Sequence, residues 1–124
     1  MTNDDIKAEA RAILDALAFT PFDNCRLLSR EFDDISNYPG LYAVRHCREG
    51  LLYIGKSKNL RDRFRAGHKA FLWSWLARYD PNEVRIAIFE LERITRLGVL
   101  FELETLILQA TKPPYNVSIP REKQ

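Results

Sequence analysis

Apolar residues recur at helical spacing near both ends of the chain and at strand spacing between them. Over residues 3–18 they return every three or four positions, at Ile6, Ala10, Ile13, Leu14 and Leu17. This spacing predicts an amphipathic helix that is capped by Thr2 or Asn3 and ended by Pro21. Residues 20–39 have no regular pattern, and we expect an irregular connection there.

Three short runs rich in β-branched and aromatic residues predict strands. Residues 40–47 and 51–55 form the first two, and the link through residues 48–50 favours a hairpin between them. Residues 84–91 form the third. The sequence therefore predicts a small, three-stranded, mainly antiparallel sheet.

Three further helices follow from the later part of the chain. A capping box at residues 59–62 starts one of them, and residues 70–79 predict a second. The third covers residues 97–111 and is stopped by Pro113. Together with the strands, this order predicts a small α+β fold in which helices cover a mainly antiparallel sheet.

The net charge of +2 conceals an asymmetry along the chain. Residues 1–37 carry four basic and eight acidic side chains, a balance of −4, whereas residues 38–124 carry fifteen and nine, a balance of +6. A polyanionic partner would therefore be attracted to the later part and repelled by the first.

The cysteines and the hydropathy exclude several classes of protein. Cys25 and Cys47 form no CxxC pair, and with His46 and His68 they lack the spacing of a zinc site, so both are predicted to be reduced thiols. No apolar run approaches the roughly 18 residues of a membrane helix, and the polar N-terminus is unlike a secretory signal. We expect one cytoplasmic domain.

Glu104 interrupts the apolar face of the last predicted helix. At about 100° per residue, Glu102, Thr105 and Gln109 lie on the polar side. Glu104 instead falls inside the apolar arc, near Leu97, Leu100, Phe101 and Leu108. A carboxylate in such a place is costly unless a cation or strong donors meet it. It is either half of a structural ion pair, or a metal ligand or general acid–base group.

Arg63 lies on the inward half of its predicted helix, whereas Arg61 and Arg65 lie on the outward half. It is either the partner of a carboxylate such as Glu104 or a phosphate clamp, for which a planar and permanently charged guanidinium is well suited.

The length of the hairpin loop decides where two tyrosines lie. A loop of two or four residues places Tyr42 opposite Gly55 and Val44 opposite Tyr53, with both tyrosines on one face. Gly55 would then leave a gap that a phosphodiester backbone could approach. A loop of three residues would place the tyrosines on opposite faces.

Taken together, these positions resemble the GIY-YIG nuclease superfamily. Gly40-Leu41-Tyr42 corresponds to its first motif, with leucine in place of the usual isoleucine, and Tyr53-Ile54-Gly55 is its second motif unchanged. Asn59-Leu60 followed by Arg63 matches the helix signature, and Glu104 leads to the segment KPPYN. The segments YIGKSKNLRDR and KPPYN look most similar to the corresponding segments of the UvrC-type excision-repair nuclease domain. The resemblance implies a nuclease-like domain over 38–118, leaving 1–37 as an added helix and connecting segment and 119–124 as a polar tail.

The resemblance implies metal-dependent hydrolysis of phosphodiester bonds in DNA. Glu104 is implied as the ligand of Mg²⁺ or Mn²⁺, and Tyr42 as the general base, with a pKa lowered by neighbouring cations such as Lys56. Tyr53 would hold the attacking water or a phosphate oxygen, and Arg63 would bind the scissile phosphate.

Two further residues are assigned alternatives by the same resemblance. Asn116 would orient the phosphate or tie the C-terminal turn to the site. His68, five residues after Arg63 rather than the usual four, would assist Tyr42 or lie exposed at the end of the helix.

Nucleic-acid binding is implied for a set of residues around the second motif and the following helix, namely Gly55, Lys56, Lys58, Arg61, Arg65 and Lys69. The outward cations would supply affinity without sequence readout. The alternative function is a non-catalytic nucleic-acid-binding module that retains the fold. A third possibility is an interaction domain whose added N-terminal helix docks a targeting partner or a second copy.

Overall fold

The structure is a computed structural model that describes residues 2–27, 35–65 and 79–117. The helices of these residues are α1 (Asn3–Phe19), α2 (Leu60–Arg65), α3 (Leu97–Thr111) and α4 (Pro114–Val117). The strands are β1 (Arg26–Leu27), β2 (Gly40–His46), β3 (Gly50–Ser57) and β4 (Val84–Glu90). The predicted helix over 70–79, the tail 119–124, His68 and Lys69 lie outside the described residues. None of the described helices has the length and apolarity that crossing a membrane requires.

The strands form one antiparallel sheet in the order β1-β4-β2-β3. The predicted α+β fold, with helices on an antiparallel sheet and an added N-terminal helix, is confirmed. The structure adds β1, which pairs with Arg85 and Ile86 of β4 and lies in the connection that was expected to be irregular. A strand of two residues is too short to show the period-two alternation by which strands are recognised.

Both faces of the sheet are covered. Helix α1 begins with a capping box between Thr2 and Asp5 and packs beside α3 on one face. Its buried residues there are Ile6, Ala10, Ile13 and Leu17, which join Leu100, Leu103 and Ile107 of α3 in one core. The other face buries the first turns of α2 through Leu60 and Phe64. Helix α4 lies against β3, which is an edge strand.

The hairpin has the register predicted for an even loop although its turn holds an odd number of residues. Its turn holds three residues between the paired His46 and Gly50, which by itself would place the two tyrosines on opposite faces. The register then shifts by one residue after Arg45, because Leu52 is an extra residue on β3. This bulge restores the parity, so that Tyr42 lies opposite Gly55 and Val44 opposite Tyr53, as predicted for the even loops.

Candidate active site

The ring of Tyr42 lies directly over Gly55. A Cβ atom built on Gly55 would come within 2.5 Å of both Cζ and the hydroxyl oxygen of Tyr42. Only glycine therefore allows the phenol to cross β3 at this height. The prediction that Gly55 leaves a gap for a phosphodiester backbone is wrong, because the Tyr42 side chain itself fills that space.

Tyr42 is fully buried and sits among other aromatic rings. Its ring meets Phe64 edge-on at 4.8 Å and Tyr53 at 6.0 Å between centroids. Burial raises the pKa of Tyr42 well above its usual value, and Tyr53 and the Glu104 carboxylate add to this effect, whereas the Arg63 guanidinium opposes it. The expectation that neighbouring cations lower this pKa is thus wrong for the protein alone, since loss of hydration outweighs Arg63.

The raised pKa of Tyr42 predicts a loss of stability in alkali. The folded protein keeps this proton to a higher pH than the unfolded chain. The contribution of protonated Tyr42 to the free energy of unfolding is therefore complete below pH 10 and falls as the pH rises further. Each proton retained this way lowers the free energy of unfolding by about 1.4 kcal/mol per pH unit. Urea unfolding between about pH 9 and 11 should therefore give a steeper decline for the wild type than for Tyr42→Phe. Parallel declines would contradict the burial argument.

Glu104 is half-buried on α3 and pairs with Lys56. The Lys56 Nζ atom lies 3.0 Å from Glu104 Oε1, and the exposed fractions of the two side chains are 33% and 15%. The ion pair offsets the loss of hydration of the partly buried Glu104 carboxylate. This agrees with the hypothesis that Glu104 is half of a structural ion pair. Lys56 is two residues from Ile54 on β3, so its side chain lies on the same face of the sheet as Ile54, toward α3 and not toward Tyr42. The alternation of side chains along β3 would have predicted this orientation from the sequence.

The donors at Glu104 fit a divalent cation of the Mg²⁺ or Mn²⁺ kind. Such ions are commonly held by one or two carboxylates and otherwise keep water and phosphate oxygens as ligands. Lys56 engages only Oε1, and Oε2 accepts no hydrogen bond from the residues that the structure describes. One carboxylate oxygen is thus available without breaking the ion pair.

Arg63 is carried by α2, whose start is firmly fixed. The Asn59 side chain accepts a hydrogen bond from the backbone N–H of Asp62, and the Leu60 N–H donates to the Tyr38 carbonyl. Arg63 is half-buried, and its guanidinium has no hydrogen bond or ion pair with the described residues. It acts on the pKa of Tyr42, so its charge lies within electrostatic reach of that phenol.

Asn116 ties α4 to the edge strand beside the tyrosines. Its side-chain oxygen accepts the Ile54 N–H at 2.7 Å, and its side-chain nitrogen donates to the Ile54 carbonyl at 2.8 Å. The amide thereby supplies the two hydrogen bonds that a further strand would make. Of the two roles expected for Asn116, the geometry supports the tie to the C-terminal turn.

Replacement of Asn116 by alanine should destabilise the protein by about 2–4 kcal/mol, because it leaves two buried polar groups of Ile54 without partners. Asn116→Asp should also be unfavourable, since a carboxylate oxygen would then face the Ile54 carbonyl. Urea unfolding measures both, and Asn82→Ala at an exposed position is the matched control. Equal stabilities for Asn116→Ala and Asn82→Ala would refute the role of this amide pair.

The predicted nucleic-acid-binding residues are only partly described. Lys58 is exposed, whereas the Arg61 Nε–H donates to the Ile35 carbonyl at 2.7 Å and anchors the segment before β2. The backbone of Arg65 ends α2, and Lys69 lies outside the described residues. Lys58 thus presents a charge to solvent, and Arg61 has a structural contact as well.

A second group of potential metal ligands lies at the hairpin turn, away from Glu104 along the strands. Ligand atoms of His46, Cys47 and Glu83 lie within 4.8 Å of one another. The Nδ1 atom of His46 accepts the backbone N–H groups of Arg48 and Glu49, so the ring proton is on Nε2, 3.3 Å from Glu83 Oε1. A metal would need that nitrogen without its proton, and Arg48 already binds both Glu83 oxygens. The His46 and Glu83 side chains therefore stabilise the hairpin turn through hydrogen bonds and ion pairs.

Comparison with known proteins identifies the family of the chain. The model of the GIY-YIG catalytic domain matches residues 38–116, which include β2, β3, β4, α2, α3 and all of α4 but its last residue. The chain belongs to the GIY-YIG family. The resemblance inferred from the motifs is therefore confirmed, and with it the prediction that the chain carries a catalytic domain of this class.

Curated relatives of the chain are much longer proteins. It is 29% identical over 101 residues to UvrABC system protein C of Synechococcus sp. (strain JA-3-3Ab), covering 82% of this chain and 16% of the relative. It is 30% identical over 109 residues to UvrABC system protein C of Pseudomonas fluorescens (strain SBW25), covering 84% and 16%. The chain thus spans about one sixth of the length of these relatives. No solved structure matches the chain.

Proposed function

We propose that the protein is a metal-dependent endonuclease that hydrolyses phosphodiester bonds in DNA. The observation that carries this proposal is the electrostatic convergence on Tyr42. Arg63 on α2 and Glu104 on α3 both shift its pKa although the three residues are far apart in the sequence. Both charges therefore lie within electrostatic reach of the buried phenol, which supports a site that combines a phosphate clamp, a metal-binding carboxylate and Tyr42.

Arg63 is the proposed phosphate clamp. Its guanidinium carries a full charge without an ion-pair partner among the described residues, so a phosphate bound there would displace no ion pair with those residues. Held in this position, it would stabilise the negative charge that builds on the scissile phosphate as the bond breaks. Tyr53, half-buried beside Tyr42, would hold the attacking water or a phosphate oxygen.

Tyr42 is the proposed acceptor of the proton that the attacking water loses. As a neutral, buried phenol it is a poor base at neutral pH, so nearby positive charge must lower its pKa for this role. A divalent cation at Glu104, when bound, would stabilise charge on the phosphate and the leaving oxygen and would offset the carboxylate that now raises the pKa of Tyr42. Arg63 contributes in the same direction.

DNA is the proposed substrate, and the cytoplasm the proposed location. The family supports a phosphodiester substrate, and the positive balance of residues 38–124 favours a polyanion. Asn116 would act through Ile54 as a positioning residue, while His68 and the cations Lys58, Arg61, Arg65 and Lys69 remain predictions for catalysis and binding. A targeting partner or second copy on α1 remains a prediction as well.

Incubation of the protein with supercoiled plasmid and labelled oligonucleotides tests the function. We expect cleavage with Mg²⁺ or Mn²⁺ and none with EDTA, with products that carry the ends of phosphodiester hydrolysis. A panel of single-stranded, paired, branched and RNA substrates identifies the preferred form. Absence of metal-dependent cleavage on every substrate would reject the proposal.

The alternative of a non-catalytic binding module is favoured by one observation. Lys56 already neutralises Glu104, as it would in a domain that has lost its metal. This alternative expects nucleic-acid binding that survives Glu104→Ala, with no cleavage under any divalent cation.

A further inference from the structure

Three large apolar side chains are exposed beside the candidate active site. Ile94, Leu97 and Phe101 have exposed fractions of 84%, 61% and 47%. Leu97 and Phe101 are four residues apart on α3, so they are neighbours on one face, and Ile94 precedes that helix in a turn. We call these three residues the apolar ridge. Grouped exposure of this kind marks a binding surface more often than isolated exposure does.

The ridge continues directly into the site of Glu104. Along α3, Leu97, Phe101 and Glu104 follow one stripe at intervals of four and three residues. Lys56 joins the two parts, because its Nζ atom is 3.0 Å from Glu104 Oε1 and 5.5 Å from the centre of the Phe101 ring. A polymer bound at Glu104 would therefore lie close to Phe101.

Cations flank the ridge. Arg93 and Arg96 are exposed and alternate with Ile94 and Leu97 in the sequence, with Glu92 as the acidic neighbour. The Arg93 guanidinium lies 4.4 Å from the centre of the Tyr38 ring, and the Tyr38 carbonyl holds the start of α2. Arg93, next to Ile94 in the sequence, is thus linked through Tyr38 to the helix that carries Arg63.

We propose that the apolar ridge contacts the faces of unstacked bases next to the scissile phosphate, so that the enzyme prefers DNA with unpaired nucleotides at the cut. This inference rests on the proposed function and specifies its substrate class. Base faces are covered by their neighbours in a continuous duplex, and apolar side chains reach them only where the stack is opened. Alternating cations and apolar groups suit a strand whose phosphates and base faces are both accessible.

A double variant of the ridge tests the proposal with a matched control. Ile94→Ser with Leu97→Ser removes the two most exposed members, neither of which has been assigned a catalytic role. Phe19→Ser with Leu27→Ser removes two exposed apolar side chains from α1 and β1 instead. Both double variants should fold normally, since all four positions face solvent, and thermal unfolding checks this.

Binding is measured by fluorescence anisotropy in EDTA, which prevents metal-dependent cutting. The probes are a DNA duplex with an unpaired loop in one strand and its fully paired counterpart. We expect the wild type and the control variant to prefer the looped duplex. The ridge variant should lose about tenfold in affinity for the looped duplex and about twofold or less for the paired one. With Mn²⁺, the cleavage preference for the looped duplex should fall in parallel.

Several results would overturn the inference. One is that the ridge variant binds the looped duplex as tightly as the wild type does, and another is that it loses the same affinity for the looped and the paired duplex. A wild type that binds neither duplex, or binds both equally well, would overturn it too. A change in the light-scattering mass of the ridge variant without a change in DNA affinity would make the ridge a protein interface. Because binding is measured without metal, a protein that shows the ridge effect but cuts nothing rejects only the proposed function. Cleavage without the ridge effect rejects only this inference.

Discussion

Replacement of Glu104 by glutamine should abolish metal-dependent cleavage, with a loss of about a thousandfold in kcat/KM, corresponding to the several kcal/mol that a catalytic cation supplies. The amide keeps the size and one oxygen of the carboxylate but loses the charge that attracts a hard cation. The fold should tolerate the change, because Lys56 is a third exposed and can be hydrated. The measurement is cleavage of a labelled oligonucleotide over a range of Mn²⁺ concentrations.

The matched control is Glu102→Gln, which removes the same charge from an exposed position two residues away on α3. It should retain wild-type activity, so a shared loss in both variants would point to general electrostatics instead of a ligand. Excess Mn²⁺ should restore little activity to Glu104→Gln if the carboxylate holds the ion. Wild-type rates for this variant in the presence of metal would remove Glu104 from the mechanism.

Replacement of Gly55 by alanine should destabilise the protein by about 3 kcal/mol and remove most activity, because the new methyl group overlaps the Tyr42 ring. The Tyr42 atoms it would meet include Cζ and the hydroxyl oxygen, both at 2.5 Å, and Tyr42 is packed against Phe64. Neither β3 nor the ring can yield without disturbing the buried centre of the sheet. Urea unfolding measures the stability, and oligonucleotide cleavage measures the activity.

Gly98→Ala is the matched control for this substitution. Nothing lies within 4 Å of the Cβ that it would add, and Gly98 is inside α3, so alanine there should stabilise the protein by about 0.5–1 kcal/mol. A cycle with Tyr42→Leu isolates the contact, because Gly55→Ala should cost much less once the ring is shortened. An unchanged cost in that background would show that the strain lies elsewhere on β3.

The apolar pattern was sufficient to predict the helices α1 and α3 and the three longer strands. The spacing of Ile6, Ile13 and Leu17 is set by the helical period, and Thr2 and Pro21 define where that helix can begin and end. These are local effects, so they can be deduced from neighbouring residues. Strand β1 was missed because two residues carry no periodic signal.

The candidate site depended on contacts that no local pattern contains. Whether the two tyrosines share a face was decided by Leu52, whose extra position on β3 offsets the three-residue turn. The pKa of Tyr42 depended on burial by residues distant in the chain, and burial outweighed the expected cations. The partner of Glu104 proved to be Lys56, 48 residues earlier.

The sequence by itself determined the kinds of element, the residues at their boundaries and the motifs that identify the family, because these depend on steric and hydrogen-bonding preferences within a few residues. The tertiary structure alone decided that the Tyr42 ring fills the space above Gly55, that Asn116 completes the edge of β3, and that the apolar ridge adjoins Glu104. Each of these is a contact between elements, and its energy depends on packing and dehydration that arise only when the chain has folded.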